Sequence, residues 1–121
     1  MNQDLMEIYA TFVDSLIKPP HQIIKQMNGS KMDLIHMCLG ITGEAGELVD
    51  VIKKHVIYDK KLDFENLTEE LGDMLFYIIG LCSNLGISLD ECLIKNMEKL
   101  KQRYPDEVYT DDAAIKRADK Q

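Results

Sequence analysis

Long apolar runs are missing from this chain of 121 residues. None approaches the roughly 20 residues needed to span a bilayer, so no membrane helix is expected. Met1-Asn2-Gln3-Asp4 lacks the basic start and apolar stretch of a signal peptide. Positive charge is also short: 14 Lys and Arg face 21 Asp and Glu, for a formal net charge of -7. That balance argues against a general nucleic-acid binder, which presents basic surface to phosphate. Cysteine is scarce and has no metal-knuckle spacing. Cys38, Cys82 and Cys92 are expected as reduced packing residues of a soluble cytoplasmic domain. Strand-like alternation is absent, which leaves an all-α chain.

What is present is helical periodicity. Leu5, Ile8, Phe12 and Leu16 share a face and predict a first helix over 5–16. Pro19-Pro20 stops it, because proline lacks the N–H and clashes with the preceding turn. Residues 21–29 read as a linker with a helical turn around 23–27. Ser30 is the expected N-cap of a long helix to Val56, and 58–63 the following loop. A further helix covers 64–85, with Gly86 as its stop. Ser88 and Glu91 form a capping box for a last long helix that ends at Arg103 or Tyr104, before Pro105. The expected architecture is one domain over 1–105, a compact bundle of four main helices. The tail, 106–121, is polar, with room for a short helix over 112–118.

Two acidic pairs interrupt the apolar stretches: Glu44-x-x-Glu47 and Glu70-x-x-Asp73. A helix puts i and i+3 on one face, so each pair aims two carboxylates the same way. At about 100° per residue, Glu44 falls inside the arc of Met37, Ile41, Leu48 and Val51, with Glu47 at its edge. Glu70 likewise falls among Leu67, Met74, Tyr77 and Leu81, with Asp73 at the edge. Helices facing by these stripes would gather four like charges, which calls for a cation. Ferritin-like di-iron sites need Glu-x-x-His, and neither pair ends in histidine. All-oxygen ligands suit Mg2+, with Mn2+ as a substitute. Gly40, Gly43 and Gly46 interleave with the first pair, and close helix approach is their expected role. A phosphate loop would need a preceding strand.

The fourth helix carries Asn96, Lys99 and Arg103 on one stripe, beside Leu93, Met97, Leu100 and Tyr104. An amide and two cations near a carboxylate–metal site suit a polyphosphate. Lys54 projects near Glu47 and is the lysine expected to approach the site, ahead of Lys53. Tyr77, four residues beyond Asp73, is the candidate for stacking on a base, and His36 borders the same arc.

Gly43-Glu44-Ala45-Gly46-Glu47-Leu48, followed by Glu69-Glu70-Leu71-Gly72-Asp73-Met74, resembles the MazG-like nucleotide pyrophosphohydrolases. These belong to the all-α NTP pyrophosphatase superfamily, whose signature is Glu-x-x-Glu, a spacer, then Glu-x-x-Asp. The stretch from Lys95 through Asn96, Lys99 and Arg103 to Pro105 is similar to the family's third block, so the resemblance covers about 34–105. It implies Mg2+-dependent hydrolysis of a nucleoside triphosphate to monophosphate and pyrophosphate. By motif, it implies Glu44, Glu47, Glu70 and Asp73 as catalytic metal ligands, and Asn96, Lys99 and Arg103 as phosphate or sugar contacts. It also implies a homo-oligomer, dimer or tetramer, with sites near subunit interfaces. Within the superfamily, a dimeric dUTPase or a phosphoribosyl-ATP pyrophosphohydrolase is the alternative; outside it, a non-catalytic helical interaction module. Some relatives stack the base on tryptophan. This chain has none, and Tyr77 is the remaining aromatic.

Overall fold

Local rules account for most of the helix ends. The computed structural model describes Asn2 and residues 4–121, so Met1 and Gln3 of the amino-terminal stretch lie outside the described residues. Helix α1 (Leu5–Leu16) starts where the Asp4 side chain accepts from the Met6 N–H at 3.3 Å. It ends before the proline pair, as expected. Pro20 then opens α2 (Pro20–Gln26), a longer helix than the single turn around 23–27 expected within the linker. Its fixed φ suits a first helical position, where no N–H partner is needed.

Helix α3 (Gly29–Val56) begins one residue before the expected cap, Ser30. Asn28 caps it instead: its Oδ1 accepts from the Lys31 N–H at 2.9 Å and its carbonyl from Met32 at 3.0 Å. Helix α4 (Phe64–Leu85) is capped by Asp63, which accepts from the Asn66 N–H at 3.0 Å. It stops at Gly86, whose φ of 67° lies in the left-handed region that favours glycine. Helix α5 (Leu89–Arg103) opens with the expected capping box. Ser88 Oγ accepts from the Glu91 N–H at 3.1 Å, and Glu91 Oε2 from the Ser88 N–H at 2.8 Å. The tail holds α6 (Asp111–Lys116), capped by Thr110, and a 3-10 turn over Ala118–Lys120. No strand occurs among the described residues. The protein is all-α.

Contacts divide the chain into two units. One ends at Met32; the other, Asp33–Gln121, includes the 106–121 tail. In the first unit, Lys18 Nζ donates to Gln26 Oε1 at 3.1 Å, tying the α1–α2 connection to the end of α2.

In the second unit α3 and α4 run antiparallel. Asn84 Nδ2 donates to Asp33 Oδ2 at 2.5 Å, Met37 lies against Gly80, and Gly40 lies against the Tyr77 ring. A Cβ on Gly40 would fall within that ring's van der Waals envelope, so glycine permits the approach there. Gly43 and Gly46 have nothing within 4 Å of a Cβ position. Close helix packing within the chain therefore explains Gly40 and not the other two. Helix α5 leaves α4 at 100° and carries the tail at its far end. Among the described residues, the buried apolar side chains are Met37 and Val51. Phe76 of α4 and Met97 of α5 stay exposed at 67% and 57%. No single helix is long and apolar enough to cross a membrane.

Candidate metal centre on the α3–α4 face

The α3–α4 register places the acids. Contacts at 33 with 84, 37 with 80 and 40 with 77 step toward the C-terminus of α3 and the N-terminus of α4. One turn further on, Glu44 of α3 meets Glu70 and Asp73 of α4. Each offers one ligand oxygen, and the three oxygens lie within 4.8 Å of one another. Glu44 and Glu70 are half-buried and Asp73 is exposed. The convergence expected from helical projection is thus present for three of the four acids. Glu47 is exposed and lies outside that trio, though its charge reaches Glu70.

The electrostatics follow from crowding. The Glu44 and Glu70 side chains share a hydrogen bond, which holds the Glu70 carboxyl above its ordinary value. Partial burial and the charges of Glu44, Glu47 and Asp73 act in the same direction. A hydrogen bond between two carboxyl groups needs a proton, because an ionised carboxylate only accepts. A divalent cation would serve in its place, drawing the same oxygens together while both groups ionise. Hard oxygen donors at this spacing fit Mg2+ or Mn2+ better than a soft metal.

The other expected site residues are placed less uniformly. Lys54 forms an exposed i,i+4 ion pair with Asp50 at 2.9 Å, and it feels the charges of Glu47 and Asp63 more weakly. Lys53 sits over the Tyr58 ring, 5.7 Å from its centroid. Tyr77 is half-buried in the helix seam, edge-on to Phe76 at 5.1 Å and 6.3 Å from the His36 ring. Much of its ring therefore packs the α3–α4 interface. Asn96 and Lys99 are exposed on α5. Arg103 is engaged by the tail: its Nε and Nη2 donate to the two Asp119 oxygens at 2.8 and 3.1 Å. The Arg103 side chain is 18% exposed and that of Asp119 is 0%. The guanidinium holds the Asp119 carboxyl down at about 2. Among the described residues, no hydrogen bond or ion pair joins Asn96, Lys99 or Arg103 to the four acids.

The Asp119 clasp escaped sequence reasoning because a contact sixteen residues away from Arg103, in an aperiodic tail, leaves no local pattern. Clefts also lie away from the acids. One of about 290 Å³ is lined by Met97, Leu100, Tyr104, Val108 and Tyr109.

Residues 33–108 match the MazG nucleotide pyrophosphohydrolase domain. The chain belongs to that family. Its MazG domain begins where the second contact unit begins, so residues up to Met32 lie outside it. The Gene 37 protein of Mycobacterium phage L5 is 30% identical over 108 residues, covering 85% of this chain and 89% of its own. The dCTP pyrophosphatase 1 proteins of Mus musculus and Rattus norvegicus are each 29% identical over 82 residues. Those matches cover 58% of this chain and 45% of the rodent proteins, a little under half their length. No solved structure matches the chain. A MazG domain carries nucleotide pyrophosphohydrolase activity as its class, and the acidic trio sits inside the matched span.

Proposed function

We propose that the protein hydrolyses a nucleoside triphosphate, ribo- or deoxyribo-, to the monophosphate and pyrophosphate, with Mg2+ held by Glu44, Glu47, Glu70 and Asp73. The observation that carries this reading is the convergence of three carboxylate oxygens within 4.8 Å inside the MazG domain. When bound, Mg2+ would supply positive charge to phosphoryl oxygens and acidify a nearby water. Glu47, at the exposed edge, would complete the oxygen cage. One of these carboxylates, or the exposed Glu69 beside them, would accept the proton of the attacking water.

Asn96 and Lys99 would handle phosphate or sugar, with Arg103 joining once released from Asp119. Lys54 would add charge near Glu47, and the free edge of Tyr77 would meet the base. Because dCTP pyrophosphatases are among the relatives, dCTP is the first substrate to try. dUTP and phosphoribosyl-ATP come next.

A homo-oligomer, dimer or tetramer, belongs to the same proposal. It is supported by the scarcity of buried apolar side chains and by exposed Leu75, Phe76, Leu93 and Met97. A second copy could bring α5 cations to the acids that the single chain leaves unbonded to them. The proposed location is the cytoplasm, with neither membrane nor nucleic acid as partner.

The test is a nucleotide screen with product identification. Pyrophosphate release should need added Mg2+ and disappear in Glu44→Gln and in Asp73→Asn. Unchanged turnover in both folded variants would remove the metal assignment; orthophosphate as the product would remove the reaction.

A further inference from the structure

The tail returns to the last turn of α5 with a carboxylate that sequence order does not explain. Asp106 and Glu107 are nearer to Arg103 along the chain, and Glu107 lies 3.7 Å from the Lys101 Nζ. Arg103 instead takes Asp119, sixteen residues away, through two hydrogen bonds of 2.8 and 3.1 Å. The tail is shaped for that delivery. Thr110 caps α6 by accepting from the Ala113 N–H at 3.1 Å. Arg117 ends the helix at a φ of 51°, in the left-handed region that a non-glycine residue enters at a cost. Its carbonyl then accepts from the Lys120 N–H at 2.9 Å and closes the turn that holds Asp119. The matched MazG domain ends at residue 108, so α6, Arg117 and Asp119 all lie beyond it.

The α5 stripe is left uneven. Asn96 and Lys99 are exposed, whereas the Arg103 fork is filled and mostly covered. Two carboxylate oxygens occupy donors that a phosphoryl group would use in the same bidentate geometry.

We propose that Asp119 is a built-in competitor for Arg103, an autoinhibitory contact that a phosphoryl group of the substrate displaces. This rests on the proposed phosphate-binding role of Arg103. Displacement frees the turn over Ala118–Lys120 from α5 and opens Arg103 on the stripe that already carries Lys99. A closed form that does not bind, populated about nine-tenths of the time, weakens apparent affinity about tenfold. The tail thereby sets the phosphate affinity of α5 from outside the acid cluster.

Calorimetric titration of the full chain with inorganic tripolyphosphate and Mg2+ tests the competition. Asp119→Asn, which offers one acceptor oxygen and no charge, should bind about tenfold tighter than wild type. Asp106→Asn removes the same charge from the exposed tail and should bind like wild type. In an Arg103→Ala background, Asp119→Asn should change nothing, so that the gain runs through the guanidinium. On the wild-type chain, saturating tripolyphosphate should speed hydrogen exchange at the amides of 118–121, an arm that needs no variant to fold.

Equal affinities for wild type and Asp119→Asn would overturn the proposal, as would no binding of tripolyphosphate by either. So would an Asp119→Asn gain that survives in Arg103→Ala, or a tail whose exchange stays unchanged or slows. An equal gain from Asp106→Asn would overturn it too, since net charge alone would then account for the effect. Turnover separates the competitor from the reaction. A nucleotide hydrolysed with the same KM by wild type and Asp119→Asn removes the competitor and keeps the hydrolysis. Tighter tripolyphosphate binding by Asp119→Asn without any hydrolysis keeps the competitor and removes the reaction.

Discussion

Replacing Gly40 by alanine should separate two roles that glycines play in α3. Each of Gly40, Gly43 and Gly46 lies inside a helix, where alanine is worth about 1 kcal/mol more than glycine. At Gly43 and Gly46 a Cβ meets nothing within 4 Å, so that gain should appear almost whole. At Gly40 the Cβ falls on Cγ, Cδ1 and Cε1 of Tyr77. The ring has little room to retreat, because Phe76 stands edge-on at 5.1 Å and His36 lies at 6.3 Å. Overpacking of this kind costs about 1–3 kcal/mol. The propensity gain is common to all three variants, so the difference between Gly40→Ala and Gly43→Ala isolates the steric cost, about 1–3 kcal/mol. Gly80→Ala should fall between them: its Cβ meets the Met37 sulfur at 2.6 Å, but a thioether end can swing aside.

Urea unfolding followed by circular dichroism, with midpoints compared at constant slope, measures these differences. Tyr77→Leu in the Gly40→Ala background should recover much of the loss, giving a coupling energy above the additivity error. Equal midpoints for Gly40→Ala and Gly43→Ala would refute the reasoning, since they would mean that Tyr77 does not press on α3.

Ser88→Ala should cost about 1 kcal/mol in the same unfolding assay, because it removes the acceptor for the Glu91 N–H and half of the capping box. Asp119 gives a pH signature. Its carboxyl is held at about 2 in the folded chain, below the ordinary value. Its contribution is therefore complete above the ordinary carboxylate range and is lost as pH falls toward about 2. Asp119→Asn should flatten that part of the acid-unfolding curve. Lys99→Ala should raise the KM for the nucleotide and leave the circular dichroism spectrum unchanged; an unfolded variant would make Lys99 structural.

Sequence pattern carried α1 and α4 to their observed ends because the signals that fix them are local. An apolar period runs up to a proline pair in one case and to a left-handed glycine in the other. The start of α3 moved because Asn28, two positions before Ser30, already supplies a cap: its carboxamide accepts from the Lys31 N–H of the first turn. Helix α2 was legible only as a turn around 23–27, because seven residues show no apolar period, and Pro20 at its first position is the other hint. The acid cluster was legible for a different reason. Each acid pair lies on the stripe that its helix turns toward the other, so facing stripes aim the carboxylates at one another, and the observed register brings three of them level. Tyr77 was placed on the correct face, but its partner is a missing side chain on another helix. Arg103 was read from its stripe alone, which says nothing about a carboxylate in the tail.

The same register explains why the carboxylates are organised within one chain while the cations are not. The α3–α4 contacts advance from 33 with 84, through 37 with 80, to 40 with 77. Continued by one turn, this antiparallel step sets 44 against 73 and 47 against 70. The acids thus follow one turn after Gly40, where the absence of a Cβ admits the Tyr77 ring between the helices. Nothing comparable fixes α5. It leaves α4 at 100°, its Asn96 and Lys99 are exposed, and Arg103 is tied to Asp119. A polyphosphate bound at the acids would bring excess negative charge to a surface whose own carboxylates already repel. Cations must then come from the lysines of α3, from an Arg103 that exchanges Asp119 for phosphate, or from the α5 of a second copy. The bidentate geometry that holds Asp119 is also the one that arginine uses for a phosphate. Exchange at Arg103 therefore needs no new side-chain shape, only a ligand that outcompetes the tail.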